Sequence, residues 1–179
     1  MIKLNHSTVF IIGGFQNDII SNRTWIADPL NGFEMKEGPS LNVERYGHSC
    51  GKMISNGKVV LVVAGGRDQF RYLESIEILD PSSGRGWIIG TFNNIVNFSH
   101  LFDSLILGPS LPFSLYGSTM VTSADGHGVI VMGGYNDSSG EDSNEMFEVK
   151  DINFGPWALL PQKLHYARVN HLAIPLNTT

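Results

Sequence analysis

The chain has 179 residues, 42% of them hydrophobic, and a formal net charge of −5. That length suits one domain with a fair core, and the acidic balance, with Lys58, Arg67 and Arg71 scattered, argues against a nucleic-acid binder, which needs a basic stripe. The single cysteine, Cys50, rules out an internal disulfide, and no apolar run approaches the roughly 20 residues of a membrane span.

Met1 to His6 leave no room for the charged and apolar regions of a signal peptide. The first apolar run, Val9-Phe10-Ile11-Ile12, closes on Gly13-Gly14; Thr24 to Ala27 reads as a further strand, and another begins at Phe33. Gly38-Pro39-Ser40-Leu41 then leads to Arg45-Tyr46-Gly47-His48. A strand from Ser49 to Ile54, a hairpin turn at Asn56-Gly57 and an apolar strand closing on Gly65-Gly66 follow. Ser75 to Leu79 is a strand, Asp80-Pro81-Ser82-Ser83-Gly84 a turn by composition, and the next strand begins at Trp87. Residues 93–107 match nothing before them and read as an inserted loop.

The same order then returns. Gly108-Pro109-Ser110-Leu111 leads to Leu115-Tyr116-Gly117-Ser118, a strand from Thr119 to Thr122, a turn at Asp125-Gly126, and a run closing on Gly133-Gly134. Glu145 to Val149 and a strand from Trp157 complete that unit. Leu160-Pro161, Arg168-Val169-Asn170-His171 and a last strand, Leu172 to Pro175, open another. Each unit is four short antiparallel strands, A to D, with the doublet ending B and the aromatic starting D.

An array of one repeated β-unit is a scaffold whose function sits in its loops. The three doublets, Trp87 and Trp157, and the Arg45–His48 and Arg168–His171 segments resemble the kelch repeat, the four-stranded blade of a class of β-propellers. Phe33 replaces the usual Trp, and Leu115 the Arg. The resemblance implies an all-β fold, an incomplete propeller of about three blades, in one domain over 1–179. Blade pieces fall at about 7–38, 45–92 and 115–160, with the terminal strand at 168–175. Complete propellers have four to eight blades, so an arc of three is expected to expose sheet faces at its ends that favour self-association.

No residue set carries chemistry convincingly. Gly47-His48-Ser49-Cys50-Gly51 matches the nucleophile elbow, which needs a helix after it, but a strand follows. His48 and His171 recur without a third ligand at metal spacing, so no metal or other cofactor is expected. His127 reads as solvated in its turn. Glu74 and Glu77 flank strand C, and Asp137, Glu141 and Asp142 read as a solvated loop. A kelch-like copper oxidase would need a Tyr–Cys crosslink and several His ligands, and an epimerase a central channel, so no enzyme is expected. Five Asn-x-Ser/Thr sequons, at Asn5, Asn22, Asn97, Asn136 and Asn177, exceed the roughly two expected by chance. They leave an extracellular glycan- or matrix-binding propeller as an alternative, and the compartment open between cytoplasm and secretion.

Antiparallel pairing puts the B–C and D–A loops on one rim. That rim holds Phe15-Gln16-Asn17-Asp18, Arg67 to Tyr72 and Tyr135-Asn136-Asp137. Loops on a fixed scaffold collect function, and Arg and Tyr are frequent binding hot spots. The expected function is therefore a non-catalytic adaptor or scaffold binding a protein partner through Arg45, Tyr46, Arg67, Asp68, Phe70, Arg71, Tyr72, Tyr116, Tyr135 and Arg168.

Overall fold

Asn-Gly and Asn-Asp pairs, which tolerate the positive φ of tight hairpin turns, set the pairing of the apolar runs. The computed structural model describes residues 1–3, 8–90, 110–150 and 155–173, and among them there are strands and no helix. The first sheet joins β1 (Ile2–Lys3), β2 (Val9–Gln16), β3 (Ile19–Asp28) and β4 (Glu34–Glu37) in that order. The second joins β5 (Ser49–Ser55), β6 (Lys58–Ala64), β7 (Ile76–Leu79) and β8 (Ile88–Gly90). With β9 (Leu115–Tyr116), β10 (Thr119–Thr122), β11 (Val129–Met132), β12 (Tyr135–Asn136), β13 (Glu141–Asp142), β14 (Met146–Val149) and β15 (Ala158–Leu159) two more form: the four-stranded β10-β11-β14-β15 and the three-stranded β13-β12-β9. All pairs are antiparallel, and the sheets take a propeller-like arrangement.

Four expectations are corrected. The count of about three is one sheet short, because the rim segments 115–116, 135–136 and 141–142 pair as a small sheet of their own. The first unit has an inner strand, since Ile2 and Lys3 pair with Phe10 and Val9. Its doublet does not end strand B: β2 bulges between Ile12 and Gly14, runs on to Gln16, and turns at Asn17-Asp18, with φ of 51° and 61°. Strand C therefore starts at Ile19 rather than Thr24. Leu172 and Ala173 are not in a strand. The insertion at 93–107, Gly108-Pro109, the sequons at Asn5, Asn97 and Asn177, His6, His100 and the end of the expected last strand lie outside the described residues.

The core explains why β6 reads as an unbroken apolar run. It is covered on both faces: Leu61 and Val63 pack with Phe10, Ile12, Leu41 and Trp87 toward the first sheet. Val60, Val62 and Ala64 pack with Val129, Val131, Phe147 and Trp157 toward the third. Each such side chain contributes roughly 1.5–3 kcal/mol by leaving water. The innermost strands meet, with β5 touching both β1 and β10.

The doublets stitch one repeat to the next. The second glycine of each donates its N–H to a carbonyl of the following lead-in segment: Gly14 to Arg45 at 2.9 Å, Gly66 to Leu115 at 2.7 Å, Gly134 to Arg168 at 2.8 Å. The approach leaves no room for a side chain. A Cβ on Gly65 would lie 2.5 Å from the Leu115 carbonyl oxygen, and one on Gly66 2.7 Å from that of Tyr46. Gly14, by contrast, has nothing within 4 Å of such a carbon. Both Gly14 and Gly66 hold positive φ, so alanine strains the backbone at either. Gly66→Ala should therefore cost about 1–3 kcal/mol more than Gly14→Ala through overpacking, read as the difference in free energy from urea unfolding curves.

Candidate partner-binding rim

The Arg67–Tyr72 loop is held from within. Arg67 forms antiparallel bridges to Tyr46 and to Tyr72. The Asp68 carboxylate accepts the N–H groups of Phe70 at 2.7 Å and Arg71 at 2.8 Å, closing an Asx turn. The tip thus presents Phe70 at 84% exposure, with the Arg71 guanidinium 3.7 Å from Asp68 and open to water.

Five aromatic rings run in line along this rim. Ring centroids are 5.2 Å apart for Phe15–Tyr46, 5.5 Å for Tyr46–Tyr116, 5.8 Å for Tyr116–Tyr72 and 5.4 Å for Tyr72–Tyr135. The tilted and edge-on contacts are the favoured geometries for ring quadrupoles. The Arg67 guanidinium lies 5.1 Å from the Tyr72 ring centre, a cation–π contact. Burial, then Tyr46 and Tyr72, raise the Tyr116 phenol above its ordinary value against the pull of Arg67, so it stays neutral at pH 7. Four tyrosines, Arg67, Asp68, Phe70 and Arg71 from the expected set are thus gathered. Phe15 joins them from the end of β2 but was outside that set; its place directly after a doublet, like Tyr135, is the signal.

Arg45 is a correction. It is completely buried and cannot meet a partner. Its guanidinium donates to Glu77 Oε1 at 2.9 Å, to the Gly65 and Ser75 carbonyls at 2.9 and 3.0 Å, and to Ser75 Oγ at 3.1 Å. Glu77, flagged as a candidate acid–base group, also accepts the backbone N–H groups of Asn42 and Val43 and the Asn42 amide. Burial lowers the Arg45 pKa and Glu77 opposes it; the guanidinium remains charged. In the next repeat Leu115 stands where Arg45 does and Phe147 where Glu77 does, both in one apolar cluster, with Phe113 edge-on to Phe147 at 5.1 Å. The missing arginine is therefore matched by a missing carboxylate. Arg168 is exposed at the far end of the rim.

The remaining motifs have structural partners. Ser49 lies in β5 and donates to the Ala64 carbonyl at 3.3 Å, with strand rather than helix after it. Cys50 is half-buried beside the amino terminus. His127 is exposed in a turn capped by Asp125. Among the described residues no three His, Cys, Asp or Glu side chains cluster as a metal site would need. A polar cleft of about 280 Å³ lies at the opposite rim, between the Asn56 turn and the Asp80–Gly86 segment. No protein-family model matches the chain, and a search of curated proteins finds no match.

Two outcomes follow from these contacts. Arg45→Leu leaves the Glu77 carboxylate buried without its cation and should cost about 3–5 kcal/mol. Adding Glu77→Phe recreates the Leu115–Phe147 arrangement, so the double variant should be the more stable of the two by thermal unfolding. His48 supplies a pH signature. Burial, the Arg45 charge and the amino terminus push its pKa down to about 3, against hydrogen bonds to the backbone of Arg45 and Ile12. The unfolded chain takes up this proton near pH 6.5 and the folded one does not. Stability is thus full above that pH and falls by about 1.4 kcal/mol per unit below it, toward pH 3. Denaturant midpoints between pH 7 and 5 should fall less steeply for His48→Gln than for the natural chain.

Proposed function

We propose that the chain is a kelch-type propeller module without catalytic function, an adaptor that holds a protein partner against the rim of B–C and D–A loops. The observation that carries this reading is the line of rings from Phe15 to Tyr135, with the exposed Phe70 two residues before Tyr72 in the same loop. Rigid aromatic side chains lose little conformational freedom on docking, and Tyr and Arg dominate interface energetics. The line is a ribbon spanning several repeats rather than an enclosed cavity, a shape suited to a protein surface or an extended segment. The same loops carry Asp18, Glu44, Asp137, Glu141 and Asp142, all exposed, so a partner with positive charge beside its apolar contacts fits best.

The test uses partner captured on the immobilised chain. Phe70→Asp or Tyr72→Ala should weaken capture by about thirtyfold, equivalent to a hot spot of about 2 kcal/mol. Arg85→Ala at the opposite rim should leave it unchanged. Circular dichroism checks that each variant is folded. Capture indifferent to all rim changes would overturn the proposal.

A further inference from the structure

Both junctions between four-stranded sheets follow one register. Counting back from a doublet, the first and third residues face the following sheet, and the second and fourth face the preceding one. Ala64 and Val62 accordingly face the third sheet, while Val63 and Leu61 face the first. By the same count Met132 and Ile130 face outward from the third sheet, and Ile11 and Val9 face outward from the first. Among the described residues no packing like that of β5 on β1 or β10 joins these two outer faces.

These faces are less covered than a junction: Val9, Ile11 and Ile130 are half-buried, although Met132 is 8% exposed. Leu41, Leu111 and Leu164 make the same bond, donating to the carbonyls of Asn22, Glu74 and Asn144. The first two are 2% and 1% exposed, while Leu164, on the outer side of the third sheet, is only half-buried. Trp87 and Trp157, each just before the residue paired with Ile78 or Glu148, are 4% and 8% exposed, yet Met35, just before the Lys36 that pairs with Ile26 at the same register in the first sheet, is 50% exposed. Among the described residues no other sheet packs on that side of it. The open side of Gly14 is the third such mark. Among the described residues neither outer face is packed on another sheet.

The chemistry of the two halves also matches. Where Arg45 meets Glu77 and Leu115 shares a core with Phe147, the third lead-in residue is Arg168 and the corresponding position of the first sheet is Trp25. The strand register sets this equivalence, pairing Val63 with Glu77, Val131 with Phe147 and Ile11 with Trp25. Arginine on tryptophan is a favourable cation–π pair. The Trp25 ring already accepts a guanidinium, that of Arg23, at 4.9 Å.

We infer that a second copy of this chain covers both outer faces. The outer face of β2 and β3 in one copy docks on the outer face of β11 and β14 in the other, and the reverse contact forms by symmetry. Two identical head-to-tail junctions then close a ring of twice the three four-stranded sheets, six in all, inside the range that complete propellers occupy. The junction uses residues apart from the aromatic ribbon and stands independently of the rim's proposed partner.

Sedimentation of the purified chain over a wide concentration range tests this. The expected species is a dimer, twice 19.7 kDa. Ile11→Asp and Met146→Lys should each give monomer, and their mixture should restore a dimer, because one junction is then intact and the other carries opposite charges. Met35→Asp, at an exposed position, should also give monomer if Ile11→Asp fails to fold. Phe70→Asp should leave the dimer intact. A natural chain that stays monomeric at its solubility limit overturns the inference, as does a dimer that survives Met146→Lys. Polymers that grow with concentration overturn the closed ring.

Discussion

One recurring hydrogen bond organises this molecule: the N–H of the second glycine in each doublet, given to a carbonyl at the start of the next repeat. It is short, from 2.7 to 2.9 Å, in all three places. The carbonyl it reaches lies 2.5 to 2.8 Å from where a Cβ on the first glycine of the doublet would sit, too close for any side chain, and glycine permits this while holding positive φ. Sheets whose faces are apolar would otherwise slide over one another, since hydrophobic contact has no direction. The stitch fixes the offset, and the side chains of β6 then fall alternately onto the two neighbouring sheets.

With the backbone contact constant, the side chains around it are free to differ. The first junction is polar at its heart, an ion pair at 0% exposure for both side chains, reinforced by Asn42 and Val43. The second is apolar at the same positions. A buried ion pair and a hydrophobic cluster of similar volume contribute comparably to stability, but they are not interchangeable one residue at a time. Arg45 against Phe147, or Leu115 against Glu77, would leave a charge without a partner. Each pair therefore ties a lead-in segment to the sheet that follows it in the chain.

The repeat was legible in the sequence because its signals are local. A doublet after an apolar run, an Asn-Gly turn and a tryptophan at fixed spacing each act over a few residues, and the second sheet matches the expected strands closely. What was missed depends on distance. Burial of Arg45 follows from Glu77, 32 residues away, and an arginine beside a tyrosine in a loop reads equally well as a surface hot spot. Phe33 sits near the expected spacing, yet the pairing of β3 with β4 puts Met35 at the position of Trp87 and Trp157 and leaves Phe33 in the turn. The small sheet at the rim has strands of two residues, too short for alternation to register. Asn17-Asp18 carried a usable turn signal, overridden by the assumption that each doublet ends its strand.

The stitch and the rim are one construction. Each ring in the aromatic line is adjacent in sequence to a residue of the junction network: Phe15 follows Gly14, Tyr135 follows Gly134, Tyr46 follows Arg45, Tyr116 follows Leu115, and Tyr72 precedes Leu73, whose N–H goes to the Gly66 carbonyl. These side chains are held by backbone that is already paired on both sides, so ordering them for a partner costs little further entropy. A reading of Tyr46 as structural and a reading of it as a binding residue are thus compatible. Its backbone closes the contact with Arg67 while its ring lies in the ribbon. Phe70 differs, being held by the Asp68 turn outside the network, which makes it the member of the rim most free to vary without disturbing the sheets beneath.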